Sequence, residues 1–229
     1  MGLHHFFTTS VEGDRIVISG DEARHAIKVL RLRPGERITV SDGAGAVVEA
    51  VVRSLDGAVE AEVEDRRVVS APRPTITIHQ ALMKGDRMDD MIERSVELGV
   101  ARIVPFLAER TIVRWDEAKR VKSHTRWTEI ARAAAKQSRS PWLTVVDPLA
   151  DAAPREGIVL HEEATTLLRD VLPDEAPEVI DLVIGPEGGL TPAEIEGART
   201  VSLGPHVLRS DFAGPVAAAI VSFVYGSLG

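Results

Sequence analysis

Between Val179 and Arg199 the chain reads VIDLVIGPEGGLTPAEIEGAR. A run of apolar residues, the pattern of a strand covered on both faces, stops at Gly185-Pro186-Glu187-Gly188-Gly189. The residues after Leu190 open like a helix, with Thr191 as N-cap, Pro192 at the first helical position and Glu194 completing a capping box. A buried strand, a tight loop and a helix make up the repeating unit of an open parallel α/β sheet, and ligands bind such sheets outside the carboxyl ends of the strands. The loop carries Glu187 and no Lys or Arg, and it matches neither the phosphate-binding loop nor the dinucleotide fingerprint. Its backbone suits a neutral or cationic small molecule better than a polyphosphate. A tight turn with a good cap, and no ligand, is the alternative that these residues alone leave open.

Two further strand ends favour a pocket. LGPHVLRSDFAGP (Leu203–Pro215) repeats the Gly-Pro pair and then presents Arg209, Ser210 and Asp211, while VLHEEA (Val159–Ala164) offers a histidine and two carboxylates. The surrounding rhythm is α/β. Strands TITIHQAL (Thr75–Leu82), ARIVPF (Ala101–Phe106), GIVLH (Gly157–His161) and TVSLG (Thr200–Gly204) alternate with helical patterns. In the first of these helices Met88, Met91, Ile92 and Ser95 share a face and Gly99 is the stop; a second spans about His124 to Gln137, a third comes after Gly189, and the last runs Pro215–Tyr225. The expected fold is an α/β domain with a largely parallel sheet.

Upstream of the short linker SAPRPT (Ser70–Thr75) the pattern differs. RIVIS, RITVSDG, AVVEAVVRSL and AVEAEVEDRRVV read as strands separated by Asp-Gly turns, with one helix, DEARHAIKVLR, among them. Short strands with tight turns predict a small β-barrel over residues 1–72, ahead of the α/β domain over residues 73–229.

Charge is unevenly divided. The net charge of −8 splits into −3 over residues 1–72, +5 over 73–142 and −10 over 143–229, so a basic middle segment faces a polyanion or merely solvates a helix face. The chain has no cysteine, which removes disulfides, Cys-based metal sites and thiolate nucleophiles. No metal-binding set stands out among the seven histidines, and His161 and His206 read as packed or hydrogen-bonded residues. No apolar run reaches membrane-span length, and the start MGLHHFFTTS lacks a basic leader and an apolar core, so a cytoplasmic protein without a membrane partner is expected.

GPEGGLTPAEIEGA, with LGPHVLRSD after it, resembles the signature of the 16S ribosomal RNA uridine-N3 methyltransferases of the SPOUT superfamily. The resemblance extends to HAIKVLRLRPGERITVSDG (His25–Gly43), KGDRMDDMIERSVELGVARIVPFLAERTIV (Lys84–Val113) and RWTEIARAAAKQS (Arg126–Ser138). It implies a SPOUT-type α/β domain with a trefoil knot, preceded by a PUA-like RNA-binding β-barrel. It further implies S-adenosyl-L-methionine as cofactor, 16S ribosomal RNA or the small ribosomal subunit as partner, and a homodimer with the active site at the subunit interface. The cofactor would lie on the loops after the three strands: Leu160 and His161; Gly185, Pro186, Gly188 and Gly189; Leu203, Gly204, Val207 and Leu208.

The chemistry agrees. Lysines of the phosphate-binding kind would repel a sulfonium, and methylation of a uridine nitrogen needs positioning and removal of the N3 proton, with no covalent enzyme intermediate. Methylation at pyrimidine C5 generally uses the cysteine that this chain lacks. Arg209 is the first catalytic candidate, holding RNA phosphate or stabilising the uridine anion; Asp211 or Glu187 would take the N3 proton. For RNA, Arg24, Lys28, Arg31 and Arg33 cluster at the first helix, and Lys84, Arg87, Arg110, Arg114 and Arg139 extend the basic surface. The chain departs from the family's usual residues at Ser210-Asp211-Phe212, where Thr-Glu-Thr is common, and at Ala133 to Lys136, where two acids are missing; Ser140 also stands at the family's usual arginine position, one place after Arg139. Two alternatives stay open: an inactive methyltransferase-like RNA-binding protein, or the same fold methylating another RNA.

Overall fold

The computed structural model describes residues 3–111 and 115–227. They fall into two compact units, one comprising Met1–Ala71 with Ala135–Leu143, the other Pro72–Ala134 with Thr144–Gly229. The first unit thus includes a segment that lies downstream of the linker in sequence.

That first unit is built on β1 (His4–Phe7), β2 (Arg15–Ile18), α1 (Gly20–Lys28), β3 (Arg37–Ser41), β4 (Ala46–Ser54) and β5 (Val59–Val68). The strand order is β1-β3-β4-β5-β2, antiparallel except for β1 beside β3. Inward residues of the alternating strands, among them Ile16, Ile18, Ile38, Val40, Val48 and Val59, enclose one core with Phe6 and the buried face of α1, Ala23 and Ala26. β1 is an addition to the strands read from sequence. The returning segment pairs on the β3–β4 turn: the Leu143 N–H donates to Gly43 O at 3.0 Å and the Gly45 N–H to Pro141 O at 3.1 Å. Gly45 allows this approach. Its φ is +99°, and a Cβ there would lie 2.6 Å from both the Val69 carbonyl and the Trp142 ring.

The second unit contains β6 (Thr75–Ala81), α2 (Arg87–Glu97), β7 (Arg102–Phe106), β8 (Val145–Val146), β9 (Ile158–Leu160), α4 (Leu168–Val171), β10 (Val179–Ile184), β11 (Arg199–Val201) and α5 (Ser210–Val224). The long α3 (Glu117–Ser138) begins in it and ends in the Ala135–Leu143 segment. Six strands form one sheet, order β11-β9-β10-β6-β7-β8, with every pairing parallel. The central strands β6 and β10 are mostly buried, as expected of covered parallel strands. α2 buries Met88, Met91, Ile92, Ser95 and Val96, the spacing of one helical stripe, and packs against α5.

Three helices differ from the sequence reading. α3 starts seven residues before His124 because Asp116 caps it, its Oδ1 accepting from the Lys119 N–H at 2.8 Å. α5 starts five residues before Pro215: the Arg209 carbonyl accepts the first helical bonds, and Pro215 lies inside the helix, leaving the Asp211 carbonyl without its i+4 donor. The helix expected after Gly189 is a single turn. Its capping box forms, with Thr191 N–H to Glu194 Oε2 at 2.8 Å and Glu194 N–H to Thr191 Oγ1 at 3.3 Å. The chain then turns away, Gly197 at φ +75° and the Ala198 N–H bonded to Ile195 O at 3.0 Å, before β11 begins at Arg199, and one turn does not repay helix nucleation. Glu194 fastens that turn instead, its Oε1 accepting from the Glu109 N–H at 2.9 Å.

Candidate active site

β11, β9 and β10 are neighbours, and Val201, Leu160 and Ile184 stand in register at their carboxyl ends. The loops that leave these three strands therefore begin level with one another and enclose an open cleft of about 350 Å³. Leu160, His161, Gly185, Pro186 and Gly189 line it from the first two loops, and Leu203, Gly204, Val207 and Leu208 from the third. Gly188 is absent from the lining; its carbonyl accepts from Arg110 Nη1 at 2.8 Å. The loop after β10 closes as a turn, Gly189 N–H to Pro186 O at 2.8 Å, and Gly189 has φ +70°, which suits a residue without Cβ. The loop after β11 is held at its root by Ser202, whose Oγ donates to Gly204 O at 3.0 Å and accepts from the Gly204 N–H at 3.2 Å.

The three catalytic candidates are placed differently. Arg209 lines the cleft, is exposed and makes no ion pair among the described residues. Glu187 also lines the cleft, and its Oε1 accepts from Arg87 Nη1 at 2.5 Å. Asp211 lies outside the lining, on the first turn of α5, 8% exposed, with Oδ2 4.0 Å from Arg94 Nη1 and no hydrogen-bond partner for Oδ1. Neither acid pairs with Arg209. Glu162, Ile184, Leu190 and Ser210 complete the lining, and His206, expected to be packed or hydrogen-bonded, is instead exposed and lines the cleft without a hydrogen-bond partner among the described residues, because it lies on the open loop after β11. Ser210 is tied to fully buried Gln80, a contact across 130 residues that no local motif announces.

The RNA candidates divide as well. In the first unit Lys28, Arg31, Arg33 and Arg139 are exposed and without an ion pair among the described residues, whereas Arg24 pairs with Asp21. Arg31 and Arg139 are the two non-glycine residues with positive φ among those described, at 54° and 55°. In the second unit Lys84 is exposed, Arg87 is held by Glu187, and Arg110 is held by the glycine loop. Arg114 lies outside the described residues.

Among the described residues His5 is bonded with Thr39, His79 with Asp181, His124 with the Val146 carbonyl, and His161 through Nδ1, which accepts from the Glu163 N–H. Among the described residues no group of three His, Asp or Glu side chains is placed to hold a metal, and no helix is long and apolar enough to cross a membrane. The lining does fit S-adenosylmethionine. Leu160, Ile184, Leu190 and Leu208 offer apolar surface to an adenosine, Glu162 and Glu187 are the nearby acids for a sulfonium, and Arg209 is the single Lys or Arg of the lining.

An open parallel sheet with a small-molecule cleft at its carboxyl edge, joined to a small β unit, is the build of an α/β enzyme with an accessory domain. Residues 70–222 match the family model described as an RNA methyltransferase domain, and residues 18–64 match the RNA methyltransferase PUA domain. The chain belongs to this RNA methyltransferase family. It is 38% identical to a Mycobacterium tuberculosis ribosomal RNA small subunit methyltransferase E, over 96% of this chain and 90% of that protein. Its fold is similar to that of the same enzyme from Neisseria gonorrhoeae bound to S-adenosyl methionine, with TM-score 0.86, 29% identity and 98% of each chain covered. A Legionella pneumophila putative methyltransferase in complex with the same cofactor aligns with TM-score 0.85 and 28% identity, over 97% of this chain and 98% of that one.

Proposed function

We propose that this protein is an S-adenosylmethionine-dependent methyltransferase acting on N3 of a uridine in 16S ribosomal RNA of the small subunit. The observation that carries the reading is the cleft itself: three loops on neighbouring parallel strands, lined mainly by backbone and apolar groups, with one unpaired arginine. The relatives named above are a small-subunit ribosomal RNA methyltransferase and cofactor-bound methyltransferases, and they align with nearly the whole chain.

The cofactor, when bound, supplies an electrophilic methyl group on a cationic sulfur. The chain's own residues do the rest. Backbone groups of the three loops orient it, and Glu187 and Glu162 favour its positive charge. Arg209 stabilises the uracil as its N3–H is lost, because charge then develops on the ring oxygens and a cation in a partly desolvated cleft is strongest there. Glu187, in the cleft and accessible, is the proton acceptor favoured by placement; Asp211 faces α2 and Arg94 and acts on the position of α5. Of the RNA candidates, Lys28, Arg31, Arg33 and Arg139 of the first unit and Lys84 of the second are left free for RNA phosphate.

The active assembly in this reading is a homodimer. Phe212, Phe223 and Val224 are 48%, 77% and 46% exposed, and with half-buried Val216, Ala219 and Ile220 they form one stripe along α5. Phe212, which departs from the family's usual hydroxyl, belongs to that stripe. The reading includes the family's trefoil knot, for which the strand order β11-β9-β10 is the support, since the chain must pass β9 to reach β11. It also places the protein in the cytoplasm, with its ribosomal substrate.

The test is calorimetric titration with S-adenosylmethionine of the protein and of Gly189→Val, then mass spectrometry of ribosomal RNA from cells lacking the gene. A β-branched residue is strained at φ +70°. Binding in the roughly micromolar range that is lost in the variant, together with a missing N3-methyluridine, is expected. Cofactor binding with an unchanged ribosomal RNA methylation pattern would move the substrate to another RNA. Absence of cofactor binding would favour the inactive RNA-binding alternative.

A further inference from the structure

The loop after β10 has an internal anchor that the catalytic scheme does not use. Gln80, at the end of β6, is fully buried, and its Nε2 donates to Ala81 O at 3.2 Å and to Ser210 Oγ at 2.8 Å. Ser210 Oγ in turn donates to Gly185 O at 2.6 Å. The direction of this chain is fixed by its ends. Turning the Gln80 amide over would set its oxygen against the Ala81 carbonyl, so Nε2 stays on the Ser210 side and Oε1 is left without a partner. Because Ser210 accepts from Gln80, its single proton goes to Gly185.

The receiving peptide is unusual. Gly185 precedes Pro186, so the peptide between them has no N–H, and its carbonyl is its one hydrogen-bonding group. Without Ser210 that part-buried carbonyl loses its partner, and the peptide at the mouth of the cleft loses what sets its rotation. Gly185 and Ser210 both line the cleft, one from the loop after β10 and the other from the start of α5, so a single hydroxyl ties two of the three cofactor loops to β6.

We propose that Ser210 and Gln80 are positioning residues for the cofactor: the relay Gln80 to Ser210 to the Gly185 carbonyl holds the glycine loop in its binding conformation before the cofactor arrives. This rests on the reading that S-adenosylmethionine occupies the cleft. The hydroxyl is the working element, so threonine serves in its place and alanine does not. The amide donor matters equally. In Gln80→Glu the side chain accepts the Ser210 proton, which draws that proton away from Gly185.

The experiment measures S-adenosylmethionine affinity by calorimetry, melting temperature, and the KM and kcat of methyl transfer for the protein, Ser210→Ala, Ser210→Thr and Gln80→Glu. Ser210→Ala and Gln80→Glu should each weaken cofactor binding on the order of tenfold, with kcat at saturating cofactor changed less than KM. Ser210→Thr should bind within about twofold of the unaltered protein. Cofactor affinity preserved in Ser210→Ala would overturn the proposal, as would a threonine variant as weak as the alanine one. Should Ser210→Ala fail to fold, Gln80→Glu decides by the same criterion: unchanged affinity refutes the relay. If the unaltered protein itself binds no cofactor, the site reading fails and this proposal with it, a result distinct from either variant outcome.

Discussion

Arg209→Ala separates catalysis from folding more cleanly than other changes at this site. The side chain is exposed, makes no ion pair among the described residues, and caps α5 through its backbone carbonyl with no side-chain cap bond. Alanine keeps that carbonyl, so the change in folding free energy should stay within about 0.5 kcal/mol. For a chain of this size that is about 1–2 °C in melting temperature. Cofactor affinity should change by no more than a few-fold, since in this reading the cofactor is held by loop backbone, apolar side chains and the acids Glu162 and Glu187. Turnover should fall by about 10²–10³, the roughly 3–4 kcal/mol that one preorganised stabilising group contributes at a developing anion. Single-turnover methylation of small-subunit RNA, calorimetry with cofactor, and thermal melting on the same preparations give the three numbers. Turnover within about threefold of the unaltered protein, a difference of under ~1 kcal/mol in barrier, would remove Arg209 from the chemistry. A matching loss of cofactor affinity or of melting temperature would make it a structural residue.

Geometry supports four other expectations. Glu187→Gln should lower turnover, while melting changes little because the exposed pair with Arg87 is worth about 0–1 kcal/mol; turnover within about threefold of the unaltered protein, under ~1 kcal/mol in barrier, would dismiss Glu187 as proton acceptor. Burial lowers the pKa of His5 to about 4, with the nearby Arg139 and Arg67 charges also lowering it, so the unfolded chain takes up a proton below pH 6.5 that the folded chain refuses until about pH 4. Stability should therefore fall as pH drops through that window, by up to about 3 kcal/mol, and His5→Gln should flatten that part of the urea-unfolding curve. Removing Arg31 and Arg139 together should reduce the log–log salt slope of RNA binding by about 0.7–0.9 per lost phosphate contact, and Phe223→Asp should shift the sedimentation of a dimer towards monomer.

The parts of this fold that were legible in sequence are those written in local periodicity. The central strands, the stripe of α2 and the glycine loops are all encoded by residues within a few positions of one another. What sequence concealed is set by distant partners or by available chain length. The Thr191–Glu194 box carries every mark of a helix start and forms its bonds, yet the chain turns at Gly197, φ +75°, and enters β11 two residues later. Pro215 marks a helix start by rule, but the chain enters α5 at Ser210 because Gln80 and Gly185 hold that residue from other strands. The return of Pro141–Leu143 onto the β3–β4 turn depends on the absence of a side chain at Gly45, a contact nearly a hundred residues away in sequence. At the cleft, nine of the ten residues expected to bind cofactor line it, and the backbone of the tenth, Gly188, is turned to Arg110.

The charge division needs a different physical account from the one composition suggests. A segment at +5 beside one at −10 looks like a surface prepared for a polyanion. In the folded second unit much of that imbalance is matched internally. Arg73 pairs with Glu178, Arg87 with Glu187, Arg94 with Asp211, Arg102 with Asp147 and Arg120 with Asp151, each joining the basic segment to an acid of the acidic one. Sequence segments that differ in sign are in these cases two sides of one tertiary contact, and each exposed pair adds little stability while cancelling local potential. Net charge by segment therefore overstates the cation available to RNA in the second unit. In the first unit, which is itself net negative in sequence, Lys28, Arg31, Arg33 and Arg139 are exposed with no acid to neutralise them among the described residues. The search for RNA contacts is better directed by unpaired cations than by the most basic stretch, and of the five candidates read from sequence that stay free among the described residues, four lie in the smaller unit, whose residues 18–64 match the PUA domain.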